Sequence, residues 1–213
     1  MVVKISDRES LNNKESIVLK SFNEITKFHG HICPGSAIGY KASQAGLTEL
    51  KSNNSQDEEL VAIVENDSCA VDAIQVITGC TFGKGNLIFM DHGKQVYTFI
   101  NRTTKDAVRV SLMDSFSVDI LAPKLGKLRF KVNNGTANEF EKADLKEMIH
   151  EVSNEILEIP YNQMFNVEHV KVDIPKKASI FTSIKCFKCG EMVSEHRSRV
   201  KNGQIVCIPC FKK

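Results

Sequence analysis

Four cysteines crowded into the last thirty residues constrain this chain more than any other feature of it. Cys186 and Cys189 form one C-x2-C pair, Cys207 and Cys210 a second, and seventeen residues separate the pairs. A C-x2-C turn aims two thiolates at one point, so two such turns complete a tetrahedral four-sulfur site with no vacant position, which predicts structural zinc. A redox dithiol pair or a closed iron–sulfur site is the competing use of the same thiols. Phe187 and Phe211 beside the turns, Gly190 after the first, and Asn202-Gly203 as a hairpin turn fit a zinc-ribbon or treble-clef domain over residues 183–213. So short a segment buries little apolar area, and metal binding is expected to supply its folding free energy. His196, between the pairs, reads as a surface residue.

Charge follows the same division. From Lys176 onward there are nine Lys/Arg against two Asp/Glu, +7, while residues 1–175 hold nineteen against twenty-four, −5, which together return the formal +2. Four thiolates on one zinc ion add about −2, leaving the tail near +5. That suits nucleic acid, an acidic partner, or the acidic body of its own or a sister chain. A quarter of the 213 residues are charged and 42% hydrophobic, a globular composition. No run of eighteen apolar residues exists, so no bilayer span and no membrane partner is expected. The opening MVVKISDRESLNNKES lacks the apolar core of a signal peptide, and a reducing, cytoplasmic setting is expected for the thiols.

The first 175 residues read as one α+β domain. Val18, Phe22 and Ile25 predict a helix over 13–28, with Asn12 and Glu15 as a capping box. Pro34 starts a second helix, closed after Ala45 by Gly46. A strand over 61–66 leads into a helix capped by Asp67 or Ser68 and ended by Gly79. The two apolar runs of GNLIFMDHGKQVYTFINR predict a hairpin turning at His92-Gly93. A strand over 107–113, a long helix over 138–157 stopped by Pro160, and a last strand in FNVEHVKVDI complete the domain. Helices are therefore expected to pack on an antiparallel or mixed sheet.

A second group of metal-type donors lies near the start. His29, His31 and Cys33 alternate, which in an extended stretch puts all three on one side of the backbone. Imidazole plus thiolate suits zinc or another borderline-soft transition metal. Cys33 precedes Pro34 at the cap of the second helix and Cys69 begins the third. Both thiols then feel a positive helix end, which favours thiolate. Cys80 follows the opposite end of that helix and ranks lower, with a buried apolar role competing. His92, His150 and His169 have no partner in sequence. GCTFGKGN tempts a phosphate-loop reading, but Gly79 to Gly83 is one residue short and Gly85 follows Lys84 where Ser or Thr is needed.

FHGHICPGSAIGYKAS, followed by ENDSCAVDAIQVITGCTFGKGNL, resembles the E-subunit family of formylmethanofuran dehydrogenase, over about residues 22–113. The resemblance implies an α+β core forming an intertwined homodimer, with a metal-capable cleft lined by the His/Cys motif. It favours His31, Cys33 and Cys69 as metal or active-site residues, with His29, Asp72 and Cys80 in the same motifs. It also implies association with molybdenum or tungsten metalloenzyme subunits, in an accessory role to formylmethanofuran dehydrogenase. No complete catalytic set is visible, and no pterin or ferredoxin-type cysteine pattern. Two functions are thus expected to compete: a ligand- or metal-handling protein with zinc, or another transition metal, in the cleft; and a dimeric regulator whose basic zinc module binds nucleic acid or a partner. A standalone thiol or zinc enzyme ranks third, for want of a placed general base.

Overall fold

The structure, a computed structural model, describes residues 19–213, which divide into two compact units between Lys176 and Lys177. The first is organised around one helix. Helix α2, Pro34–Glu49, is half Gly, Ala and Ser, and eleven of its sixteen residues are buried. Small side chains let neighbours approach its axis from several directions. A Cβ on Gly39 would lie 2.2 Å from the Ala70 carbonyl oxygen, and one on Gly46 would lie 2.1 Å from the Phe99 ring. Gly46 therefore does not close the helix as its sequence position suggests. Its missing Cβ is used for contact with Phe99, and α2 runs three residues further before Lys51 turns the chain with a φ of 49°.

Helix α1, Phe22–His29, precedes α2 and ends at Gly30, whose φ of 89° is left-handed. The expected start of this helix, with Asn12 and Glu15, lies outside the described residues. Strand β1, Leu60–Val64, follows α2, and helix α3, Ala70–Thr78, then ends at Gly79 with φ 74°. Strands β2 (Leu87–Phe89), β3 (Val96–Asn101), β4 (Ala107–Leu112) and β5 (Phe165–Val170) complete a five-stranded sheet in the order β2-β1-β3-β4-β5. Only β1 and β2 are parallel, so the sheet is mixed.

The hairpin expected at His92-Gly93 does not form. β1 lies between its two arms, pairing Ala62 with Leu87 on one side and with Phe99 on the other. β1 is buried on both faces, and a central strand must satisfy its N–H and C=O groups along both edges. The connection Met90–Gln95 is long enough to cross two strand spacings, about 10 Å. The hairpin forms one step later, between β3 and β4.

Leu60, Ala62, Val64, Tyr97, Phe99, Val108 and Val110 alternate onto one face of the sheet and pack with Ala37, Ala42, Ile74 and Ile77. Val152 and Ile156 join them from helix α6, Glu139–Glu158. A reciprocal box between Asn138 and Glu141 starts α6, with Asn138 Oδ1 accepting from the Glu141 N–H at 2.9 Å. Helices α4 (Val118–Leu121) and α5 (Leu125–Asn133) lie between β4 and α6, and Leu125, at the start of α5, is their buried residue.

The second unit is a pair of two-stranded ribbons and a short helix. β6 (Ser183–Lys185) pairs with β7 (Met192–Ser194), and β8 (Arg199–Lys201) with β9 (Gln204–Val206), before α7 at Ile208–Lys212. Asn202 and Gly203 take φ of 51° and 76°, the two positive values of the tight turn their sequence predicts.

Alanine is a better helix former than glycine by about 1 kcal/mol, yet the backbone of α3 blocks it at position 39. Gly39→Ala is expected to destabilise the first unit by about 1–3 kcal/mol, read as a lower urea midpoint. An unchanged or raised midpoint would show that α2 and α3 are not held at this separation.

Candidate metal centres

The four late cysteines converge. Their Sγ atoms all lie within 4.8 Å of one another, and the Cys189 and Cys207 sulfurs are 3.8 Å apart. The Cys207 N–H donates to Cys186 Sγ at 3.2 Å. Backbone N–H groups of Cys189 and Cys207 hold the Cys186 thiol down at about 6. The Glu191 N–H also favours thiolate at Cys189, but crowding by Cys186 and the other sulfurs pushes that thiol up to about 12. Thiols this close cannot all ionise alone, and a dication removes the repulsion. The buried residues of this unit are Val206 and three of the cysteines, with Val193 against them. The donor set thus fits structural zinc, with the metal replacing a core that the segment lacks.

The first-unit cluster is assembled from local chemistry. α1 carries His29 as its last residue, and the left-handed Gly30 turns the chain so that His31 and Cys33 double back beside it. Cys33, extended, caps α2: its Sγ accepts from the Ser36 N–H at 3.4 Å, and Pro34 takes the first helical position. Alternation along an extended strand is therefore not the cause of the convergence; a helix end, a turn and a cap are. His29, His31 and Cys33 present donor atoms within 4.8 Å of one another, with the two imidazoles 4.4 Å between centroids.

His29 links the cluster to α3. Its Nδ1 is 2.7 Å from Asp72 Oδ2 and its Nε2 is 3.7 Å from Cys33 Sγ. A carboxylate holding one ring nitrogen while the other faces a shared site is the arrangement that orients metal-binding histidines. Burial opposes the charged imidazole, but Asp72 and Cys33 overcome this and raise its proton affinity. At Cys33, burial favours the thiol; the Ser36 hydroxyl and N–H, with His29, outweigh it and hold the group below the usual thiol range. Cys69, at the start of α3, stands beside Cys33, and burial followed by the charge of Cys33 pushes its thiol up.

Gly35 has Cys69 Cβ 3.1 Å and Cys33 Sγ 3.9 Å from where its own Cβ would stand, so a glycine keeps the two thiol-bearing residues close. Ser36 and Gly35 carry no metal-type donor, which is why motif reading passes over them. Cys80 lies elsewhere, fully buried in the apolar core, where burial drives its thiol up to about 11. Lys84 donates to the Asp57 carbonyl at 2.9 Å, and the glycine-rich segment is an ordinary loop. His92 bonds Glu65 and His169 lies 3.5 Å from Glu49, neither in the cluster.

Comparison with known proteins adds four findings. Residues 28–166 match the family model described as FmdE, Molybdenum formylmethanofuran dehydrogenase operon. Residues 180–213 match the prokaryotic dksA/traR C4-type zinc finger. A relative from Archaeoglobus fulgidus described as "Probable S-adenosyl-L-methionine-binding protein" is 34% identical over 203 residues; these are 93% of this chain, which spans 54% of that protein's length. A solved structure of a tungsten formylmethanofuran dehydrogenase FmdE-like protein from Syntrophus aciditrophicus aligns with a TM-score of 0.53 and 23% identity, covering 89% of each chain, a likeness of fold.

Two outcomes follow. A strong chelator is expected to unfold residues 177–213 and leave the first unit folded; limited proteolysis should then cut within that segment, and a protease-resistant metal-free tail would contradict a structural role. In metal-free protein, mass mapping of alkylation against pH should show Cys33 reacting at lower pH than Cys80, because the thiolate is the nucleophile. The reverse order would contradict the hydrogen bonding at the α2 cap.

Proposed function

The chain belongs to the FmdE family, and from that membership and the geometry of its first unit we propose a protein that holds two metals for different purposes. The C-terminal zinc is structural. His29, His31 and Cys33 bind a second zinc or other transition metal, with Cys69 beside them and Asp72 orienting His29. The observation that carries this reading is the single arrangement in which Asp72 holds one nitrogen of His29 while the other faces Cys33 and His31. A metal bound there would supply a Lewis-acidic position for a small ligand. The protein's own residues present the donors, fix the His29 tautomer and bury Cys33.

This makes the protein a metal- and ligand-handling member of its family, acting as a homodimer and as an accessory to other metalloenzyme subunits in a reducing cytoplasm. Among the described residues no helix is long and apolar enough to cross a membrane. The description of the Archaeoglobus relative supports S-adenosylmethionine as a ligand of this chain. A second reading gives the basic zinc unit a role on nucleic acid, favoured by its nine Lys/Arg against two Asp/Glu from Lys176 onward. Salt-dependent retention of nucleic acid supports it, and no retention at low salt ends it.

Metal analysis of the full chain from its native source tests the main reading. Two metals per chain are expected, falling to one in His31→Ala, whose exposed side chain leaves the fold intact. One metal in the unaltered protein would remove the cleft metal.

A further inference from the structure

Gly35 stands between two thiol-bearing residues. A Cβ there would have Cys69 Cβ 3.1 Å away and Cys33 Sγ 3.9 Å away. Its backbone does not demand glycine, since its φ is not among the positive ones, and a residue with a side chain would serve the helix better. What the glycine provides is room. With no methyl group interposed, the Cys33 and Cys69 side chains come within hydrogen-bonding reach of each other. Two cysteines placed this closely meet the first condition for a disulfide, whose Cβ atoms lie about 3.8 Å apart.

The two sulfurs differ in partners and in access. Cys33 Sγ accepts the Ser36 N–H at 3.4 Å, and it lies within 4.8 Å of a ring nitrogen of His31, whose side chain is exposed. Cys69 begins α3 but makes no side-chain capping bond, so its sulfur is not committed to the helix end. It is half-buried and lines, with His29 and Asp72, a cavity of about 400 Å³ whose aromatic wall is Phe82 and Phe89. A small solute entering this cavity meets the pair. Cys80 is fully buried in the core and the four late sulfurs face one another, so neither offers Cys33 a nearer partner.

We propose that Cys33 and Cys69 form a reversible oxidation site, closing to a disulfide when a small peroxide reaches them and so withdrawing Cys33 from the group of His29, His31 and Cys33. The Cys33 thiolate attacks one peroxide oxygen, the O–O bond breaks, hydroxide leaves, and Cys33 becomes a sulfenic acid. Cys69 then attacks that sulfur, the S–S bond forms, the S–O bond breaks, and water leaves with the Cys69 proton. One thiolate, one thiol and one peroxide thus give a disulfide, a water and a hydroxide, with two electrons passing from the sulfurs to the peroxide. A metal held by the group would lose its one thiolate donor and keep two imidazoles, with His29 still held by Asp72. The unit keeps its own apolar core, so reduction restores the donors. Loss of metal rests on the reading of this group as a metal site; formation of the bond does not.

The test treats the full, reduced, metal-loaded chain with equimolar hydrogen peroxide, blocks free thiols, and maps peptides by mass without reduction. A link is expected between the tryptic peptide carrying Cys33 and the one carrying Cys69 and Cys80, assigned to Cys69 by fragmentation. Metal content should fall from two per chain to one and return after dithiothreitol and fresh metal. Cys69→Ser should abolish the link and leave Cys33 as a sulfenic acid that dimedone traps; should this variant not fold, the map of the unaltered protein still decides. Both thiols remaining open to alkylation after peroxide, Cys33 carried to a sulfinic acid with no link, or a link from Cys33 to Cys80 or to a C-terminal cysteine each overturns the proposal. The metal count separates the two readings. A link in protein that held one metal from the start removes the cleft metal and leaves the pair, and two metals with no link does the reverse. A link with both metals retained overturns the coupling between them.

Discussion

The contact between the glycine face of α2 and the start of α3 is the constraint on which the first unit depends. Position 39 touches the backbone of Ala70 and position 35 touches Cys69, distances that no other residue type permits without displacement. This approach brings Cys69 beside Cys33 and sets Asp72, in the first turn of α3, against His29. The sheet supplies the floor, because Phe99 fills the space left at Gly46 and locks the far end of α2. Donor geometry and core packing are therefore the same problem in this unit: a shift in the helix pair moves the carboxylate away from the imidazole it orients.

The two sulfur sites solve the problem of holding thiolates in opposite ways. At the C-terminal site the sulfurs are the core, and few apolar groups besides Val206 and Val193 surround them. In the first unit Cys33 is a helix cap within a fold that has a full apolar core of its own. A metal held there would not be needed to hold the fold, which has its own core.

The features legible in the sequence are those that short-range chemistry determines. Pro34 and Gly79 mark helix ends through backbone geometry, and the C-x2-C turns and Asn202-Gly203 are equally local. Gly46 misleads because a glycine that ends a helix and a glycine that admits a neighbour read alike until the neighbour is known. The pairing of β2 and β3 with β1 is hidden for a related reason: alternation tells which face a residue takes, but not which strand lies alongside. The bond between His29 and Asp72 is out of reach, since it joins residues 43 apart through the packing of two helices. Without that bond in view, His29 has nothing to set it above His31.

The donors of the cleft come from one stretch of five residues, while its aromatic wall comes from another segment, between α3 and β3. In evolutionary terms the two can drift independently. A relative that keeps the segment from His29 to Cys33 but changes the loop carrying Phe82 and the edge strand carrying Phe89 would keep the three donors and present a different wall beside them. Because β2 is a three-residue edge strand, paired on one side by β1, such exchange would disturb little of the core. A single scaffold of this kind can hold one donor group constant while the surface beside it varies.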